Sequence, residues 1–212
     1  MPCYEYEDRD YYVEEIFFLA DCTDKEKKVD VQWGDGTNNT YSTGFGDTWQ
    51  HTYYTPGEKN IILSYEKDFN DSFDEQFMIT IYGWAQPFIG EWTVSEEITN
   101  FRCGSVDTSY TRSYDVTISG DIYGQLFTIE DFGNGFISEL GLKANSPRRI
   151  DGGVVTSLTG SDGGSYSVYP NSNVTYNDNR TEDDLFYLNT RVEGALNGNT
   201  CGYNSAMTFT RK

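Results

Sequence analysis

His51 is the single histidine of this 212-residue chain, and together with Asp35 it is the first place to look for chemistry. An imidazole beside a carboxylate is the working part of a hydrolytic triad or half of a zinc site. Neither can be completed: no Ser-His-Asp constellation can be assigned, and a zinc ion would have to lean on carboxylates or on cysteines placed elsewhere. Both residues therefore read as structural. Asp68, Asp71 and Asp74, or Asp178, Asp183 and Asp184, offer oxygens to a divalent cation, but their spacing departs from the EF-hand pattern, so they read as solvated loops and no metal is assigned. Glycoside hydrolysis needs only two carboxylates flanking a sugar, yet nothing singles out a pair among 34 acidic residues. An enzyme is the last reading, with no catalytic residue and no cofactor. Sugar binding asks for something simpler, a flat aromatic ring beside amide and carboxylate hydrogen bonders. Trp49, Trp84, Tyr166 and Tyr169 lie in segments rich in Asn, Ser, Gly or Gln and are the candidate ligand platforms, although the same rings would also suit core edges and domain junctions.

The elements that must carry these residues are strands. Seventeen Tyr, 13 Phe and 4 Trp stand among Gly, Asn, Ser and Thr, a balance that favours strands and turns, and no stretch sustains a helical apolar period between caps. Val29, Val31 and Trp33 alternate with Lys28, Asp30 and Gln32, which turns Trp33 inward. Gly34 and Gly36 flank Asp35 in a tight corner. Strands are predicted at Tyr11–Ala20, Lys28–Trp33, Trp49–Tyr53, Lys59–Tyr65 and Gln76–Tyr82. Pro87 then breaks the alternation. The predicted organisation is a tether at 1–11, a first domain at 12–83, a linker at 84–87 and a second domain at 88–212. Strands of the second domain are expected at 88–94, 113–118, 126–130, 185–192 and 207–211.

The run Trp33-Gly34-Asp35-Gly36-Thr37, then His51-Thr52-Tyr53, then Pro56-Gly57 leading into Ile61-Ile62-Leu63, resembles the signature of a PKD-type, immunoglobulin-like β-sandwich over about residues 12–82. The resemblance implies structural roles for Trp33, Asp35, His51 and Tyr53. Gly90-Glu91-Trp92 at the head of the second domain, with Arg211 on its last strand, is similar to a lipocalin-like or calycin-like β-barrel. In such barrels the early Trp packs across the closed end and the Arg lies over it, which are the places Trp92 and Arg211 match. A second β-sandwich is the alternative. The fold class is thus all-β, a sandwich followed by an antiparallel barrel. The combination resembles small surface lipoproteins of gut-type bacteria, for which no activity is implied.

A formal charge of −19 would repel phosphate backbones and anionic lipid, so neither nucleic acid nor a basic membrane contact is expected. No 18-residue apolar run exists to span a membrane as a helix. Four cysteines without CxxC or Cys-His clustering suit an extracytoplasmic, disulfide-forming protein. Cys103 and Cys201 are placed to tie the second domain's two ends together. Cys3 either pairs with Cys22 or carries a lipid anchor, as the acidic run after it resembles the start of mature surface lipoproteins. Asn-x-Ser/Thr patterns at Asn38, Asn70, Asn173 and Asn179 follow from composition. The expected function is non-catalytic binding of an exported ligand, carbohydrate first, with a structural spacer or adhesive stalk as the alternative.

Overall fold

The computed structural model describes residues 4–21, 28–42, 46–66, 72–146, 149–151, 155–170 and 185–212. Cys3, Cys22 and, from the acidic clusters, Asp68, Asp71, Asp178, Asp183 and Asp184 lie outside them. Contacts divide the chain into two units, Met1–Gly83 and Trp84–Lys212. Among the described residues the regular structure is nearly all strand.

The first unit contains β1 (Tyr4–Glu5), β2 (Tyr11–Tyr12), β3 (Ile16–Asp21), β4 (Lys28–Gln32), β5 (Asn38–Ser42), β6 (Thr48–Thr52), β7 (Gly57–Glu66) and β8 (Ser72–Tyr82). They form a three-stranded sheet, β1-β3-β6, and a five-stranded one, β2-β8-β7-β4-β5. All pairings are antiparallel except β2 with β8. Phe17 and Leu19 from the smaller sheet, with Val29, Val31, Ile61 and Leu63 from the larger, are fully buried. Each such side chain stabilises the fold by roughly 1.5–3 kcal/mol. Trp33 meets Phe17 edge-on at 6.3 Å between ring centroids, joining the two layers.

Two expectations change here. The single strand expected over Tyr11–Ala20 is broken into β2 and β3 by a turn in which Glu14 takes a φ of 67°. The stretch 1–11, expected as a tether, joins the first unit from Tyr4 onward. β1 pairs with β3, Tyr4 and Tyr6 stack on Phe77 at 4.8 and 4.9 Å, and Arg9 bridges Glu7 and Glu15. Its acidic residues hid three aromatic rings, and the third, Tyr11, is buried.

The second unit contains β9 (Gly90–Cys103), β10 (Val106–Gly120), β11 (Leu126–Asp131), β12 (Ile137–Ser146), β13 (Arg149–Ile150), β14 (Val155–Thr159), β15 (Ser165–Pro170), β16 (Leu185–Leu196) and β17 (Asn199–Arg211). They make one antiparallel sheet in the order β13-β12-β11-β10-β9-β17-β16-β15-β14. Apart from the β17–β9 seam, paired strands follow one another in the sequence. The sheet curls until β12 and the end of β14 meet, where Ile137 bridges Gly160 and the Ser161 amide donates to the Phe136 carbonyl at 2.8 Å. One continuous curled sheet is a barrel-like arrangement, not two facing layers.

One end of this barrel is closed by aromatic rings. Phe88, in a short 3-10 turn at Gln86–Phe88, stacks on Phe127 and meets Phe186 edge-on, while Phe186 stacks on Phe209 at 4.2 Å. Trp92 is fully buried against Phe186 and donates its indole N–H to the Phe88 carbonyl at 2.8 Å. The Arg211 guanidinium lies 4.4 Å above the Trp92 ring and donates to the carbonyls of Ile89 and Pro87. Residues 84–87, expected as a linker, therefore belong to the second unit: Ala85 is fully buried there, and its amide donates to Gly124. At the other end of the β9–β17 seam, Cys103 and Cys201 are opposite one another and form a disulfide.

Candidate ligand-binding site

The strongest departure from an apolar interior begins with a two-residue period on β9. Trp92, Val94, Glu96 and Ile98 all turn into the barrel, and Glu96 is 0 % exposed. A buried carboxylate costs several kcal/mol unless its charge and lone pairs are met. Here they are met. Arg112, directly opposite on β10, donates from Nε to Glu96 Oε2 at 2.6 Å. Tyr114, two positions further along β10, donates to the same oxygen at 3.0 Å, and Ser205 on β17 donates to Oε1 at 2.5 Å. Burial alone would weaken the Arg112 charge, but its hydrogen bond to Glu96 outweighs this and holds the guanidinium protonated. Burial, reinforced by the Glu96 carboxylate, pushes the Tyr114 hydroxyl far above its ordinary value, so it remains a donor.

Two hydroxyls on the same interior face are left over. Tyr203 is 7 % exposed and Thr190 4 % exposed, and neither hydroxyl makes a hydrogen bond. Thr190 pairs directly with Ser205 across β16 and β17. The Tyr203 hydroxyl, raised by burial and by Glu96, sits in the field of Arg112 without a well-formed bond to it. Phe101 and Phe136 flank the Tyr203 ring at 6.1 and 6.3 Å, and Tyr110 meets Phe101 edge-on. The Arg112 side chain keeps 21 % of its surface exposed, so this layer communicates with solvent. The layer thus sets two hydroxyls without a protein partner beside an ion pair and a group of aromatic rings.

A concavity lies on the outer surface. β9 carries a bulge at which Asn100, with φ 54°, and Phe101 face the single residue Tyr203 of β17. The extra residue shifts the inward–outward phase, so Phe101 and Cys103 turn inward and Arg102 outward. A groove of about 620 Å³ follows, walled by Arg102, Arg191, Glu193, Asn100 and Asn204. Gly202, with no side chain, forms its hollow between Glu193 and Arg102, its partners on either side.

The four aromatic candidates fare differently. Trp49 is 4 % exposed and stacks on Tyr41 inside the first unit, so it presents no face to a ligand. Trp84 is half-buried against the core of the second unit. Tyr166 is 4 % exposed, with its hydroxyl donated to Asp162 at 2.6 Å and its ring edge-on to Phe136. Tyr169 is 37 % exposed and pairs across β15 and β16 with Arg191, itself a residue of the outer groove. Glu96, Arg112, Thr190 and Tyr203 were not singled out from the sequence. Their signal was the strand period itself, which puts an acid at 96 between Val94 and Ile98 and a base at 112 before Tyr114 and Val116.

Asp35 and His51 serve a corner. Asp35 Oδ1 accepts from the amide and the hydroxyl of Thr37, at 3.0 and 2.5 Å, and His51 Nε2 donates to Oδ2 at 2.8 Å. The imidazole stacks flat on Trp33 at 4.9 Å, and the Tyr53 hydroxyl donates to the Trp33 carbonyl. Gly34 takes φ +79° where a Cβ would stand 2.7 Å from the Asn60 backbone, so only glycine fits. Partial burial raises the Asp35 pKa, but the bonds from Thr37 and His51 outweigh it and hold the carboxyl at about 2. A depressed pKa stabilises the fold above the unfolded value of 3.8 and loses that contribution as pH falls through about 2. Asp35→Asn is expected to cost on the order of 1 kcal/mol at neutral pH, after discounting for solvent screening. The gap from the parent protein should close on acidification, as read by urea unfolding at a series of pH values.

No family model, no curated protein and no solved structure matches the chain. The class is therefore defined by its own geometry: an all-β protein of two units, the second a curled antiparallel sheet with a polar layer inside. No helix among the described residues is long and apolar enough to cross a membrane, and no metal-binding group of His, Cys, Asp or Glu occurs among them.

Proposed function

We propose that the protein is a non-catalytic, extracytoplasmic ligand-binding protein whose second unit receives a neutral carbohydrate in the layer around Glu96. The observation that carries this reading is the pair of hydroxyls on Tyr203 and Thr190, each more than nine-tenths buried and without a hydrogen bond, beside a completed Glu96–Arg112 pair. Leaving such groups unmatched costs about 1–3 kcal/mol each, a cost a ligand hydroxyl would remove. Glu96 already balances Arg112, so a neutral partner suits the layer better than an ion. Phe101, Phe136 and Tyr110 supply the rings against which the C–H faces of a sugar pack. Glu96 accepts three hydrogen bonds from Arg112, Tyr114 and Ser205, a fully partnered carboxylate that supports a binding role. The Cys103–Cys201 disulfide supports an oxidising compartment. The first unit, with Trp49 buried, fits the spacer role.

A glycan-array screen of the intact protein followed by calorimetry tests the proposal, with Tyr203→Phe and Thr190→Val as the informative variants. Each removes a hydroxyl for which the structure shows no well-formed protein hydrogen bond, so melting temperature should hold or rise. Affinity for the bound neutral glycan should fall about tenfold or more. A blank array, or variants that bind as well as the parent, would refute the reading.

A further inference from the structure

We propose that the outer groove over β16, β17 and β9 is a second binding site, one that takes the carboxylate of an acidic sugar residue. It rests on the carbohydrate reading for the class of ligand, but its polar groups are Arg102, Arg191, Asn100 and Asn204 and not Glu96, Arg112 or Thr190. Register places its parts. Tyr169, Arg191, Asn204 and Thr99 form one row across β15, β16, β17 and β9, and Ser167, Glu193, Gly202 and Arg102 form the next. Gly202 leaves the second row open at its centre, and the bulge at Asn100 turns Arg102 toward the groove.

Charge identifies the ligand. The chain as a whole carries −19, yet the groove wall brings together two guanidinium groups and one carboxylate, Glu193. Arg191 pairs with Glu193, and Arg102 with Asp107 at 3.4 Å. Both pairs are exposed, between 42 and 71 % at each side chain, so they are weak and exchange readily for an incoming anion. A guanidinium presents a planar fork that matches a carboxylate with two parallel hydrogen bonds. Tyr169, exposed beside Arg191, offers its ring to the face of the sugar that carries that carboxylate. Asn100 and Asn204 are suited to its hydroxyls. At about 620 Å³ the groove is large enough for short sugar segments.

The test titrates the full chain with polygalacturonate, with its methyl ester and with dextran. Polygalacturonate should bind, more weakly as salt is raised, while the ester and dextran should not compete for the groove. Arg102→Gln, Arg191→Gln and Tyr169→Ala should each weaken binding about tenfold, with unchanged melting temperature because all three side chains are exposed. Thr190→Val, which lies outside the groove lining, should leave this binding intact, which separates failure here from failure of the interior site. The proposal is overturned if polygalacturonate does not bind, if the methyl ester binds equally well, or if the arginine variants keep full affinity.

Discussion

Glu96→Ala is expected to lower the unfolding free energy of the second unit by about 3–5 kcal/mol, the range for breaking a buried ion pair from one side. The loss is large because three donors fail at once. Arg112 keeps its charge with no counter-charge, and Tyr114 and Ser205 lose the oxygens they now reach at 3.0 and 2.5 Å. The companion variant Glu96→Leu with Arg112→Leu removes both charges and should recover most of the loss, since an apolar replacement of a whole pair is often neutral or stabilising. Urea unfolding followed by tryptophan fluorescence reads both. A Glu96→Ala protein within 1 kcal/mol of the parent would mean that water already reaches the carboxylate. If the double variant is stable but blind to sugar, the ion pair is kept for binding and not for folding.

Replacing Cys103 and Cys201 together by alanine should cost about 4–5 kcal/mol, because the bridge closes a loop of 98 residues in the unfolded chain. The folded state itself should change little. The two residues are direct partners in the β9–β17 ladder, which extends to Arg211 opposite Trp92 and holds them together without the bridge. The effect therefore belongs to the unfolded ensemble. Reduction should lower the midpoint of denaturation without altering the binding constants of either proposed site measured below that midpoint. A loss of affinity in step with reduction would instead show that the bridge shapes the neighbouring groove.

The parts of this fold legible in the sequence are those where one face is buried and the other wet. Val29, Val31 and Trp33 follow that period, and the structure buries all three. β5 was missed because it is an edge strand with both faces largely wet. Asn38, Asn39, Thr40 and Ser42 are exposed and Tyr41 only half-buried, so no alternation exists to be read. Trp92 and Arg211, 119 positions apart, meet with the guanidinium over the indole, a contact that no strand period could indicate. Sugar platforms were harder to judge. Trp49 and Tyr166 have polar neighbours on either side, but in a strand those neighbours point the other way, so a polar segment says nothing about the exposure of its ring. Glu96 was hidden for the opposite reason. It is one acid among 34, and only its phase along β9 distinguishes it from Glu97, which faces solvent.

The β9–β17 seam has a consequence for the order in which the second unit can be completed. Elsewhere in the barrel each strand finds its partner in the segment made just before or just after it. β9 alone must wait, with one edge open, until residues up to Arg211 have left the ribosome. During that interval Trp92 lacks its cover from Arg211, Glu96 lacks Ser205, and Cys103 is an unpaired thiol. Translation pauses or truncations before residue 199 would thus expose a sticky edge together with a reactive sulfur. Closure of this seam is the single step that both covers the β9 edge and brings the two sulfurs together.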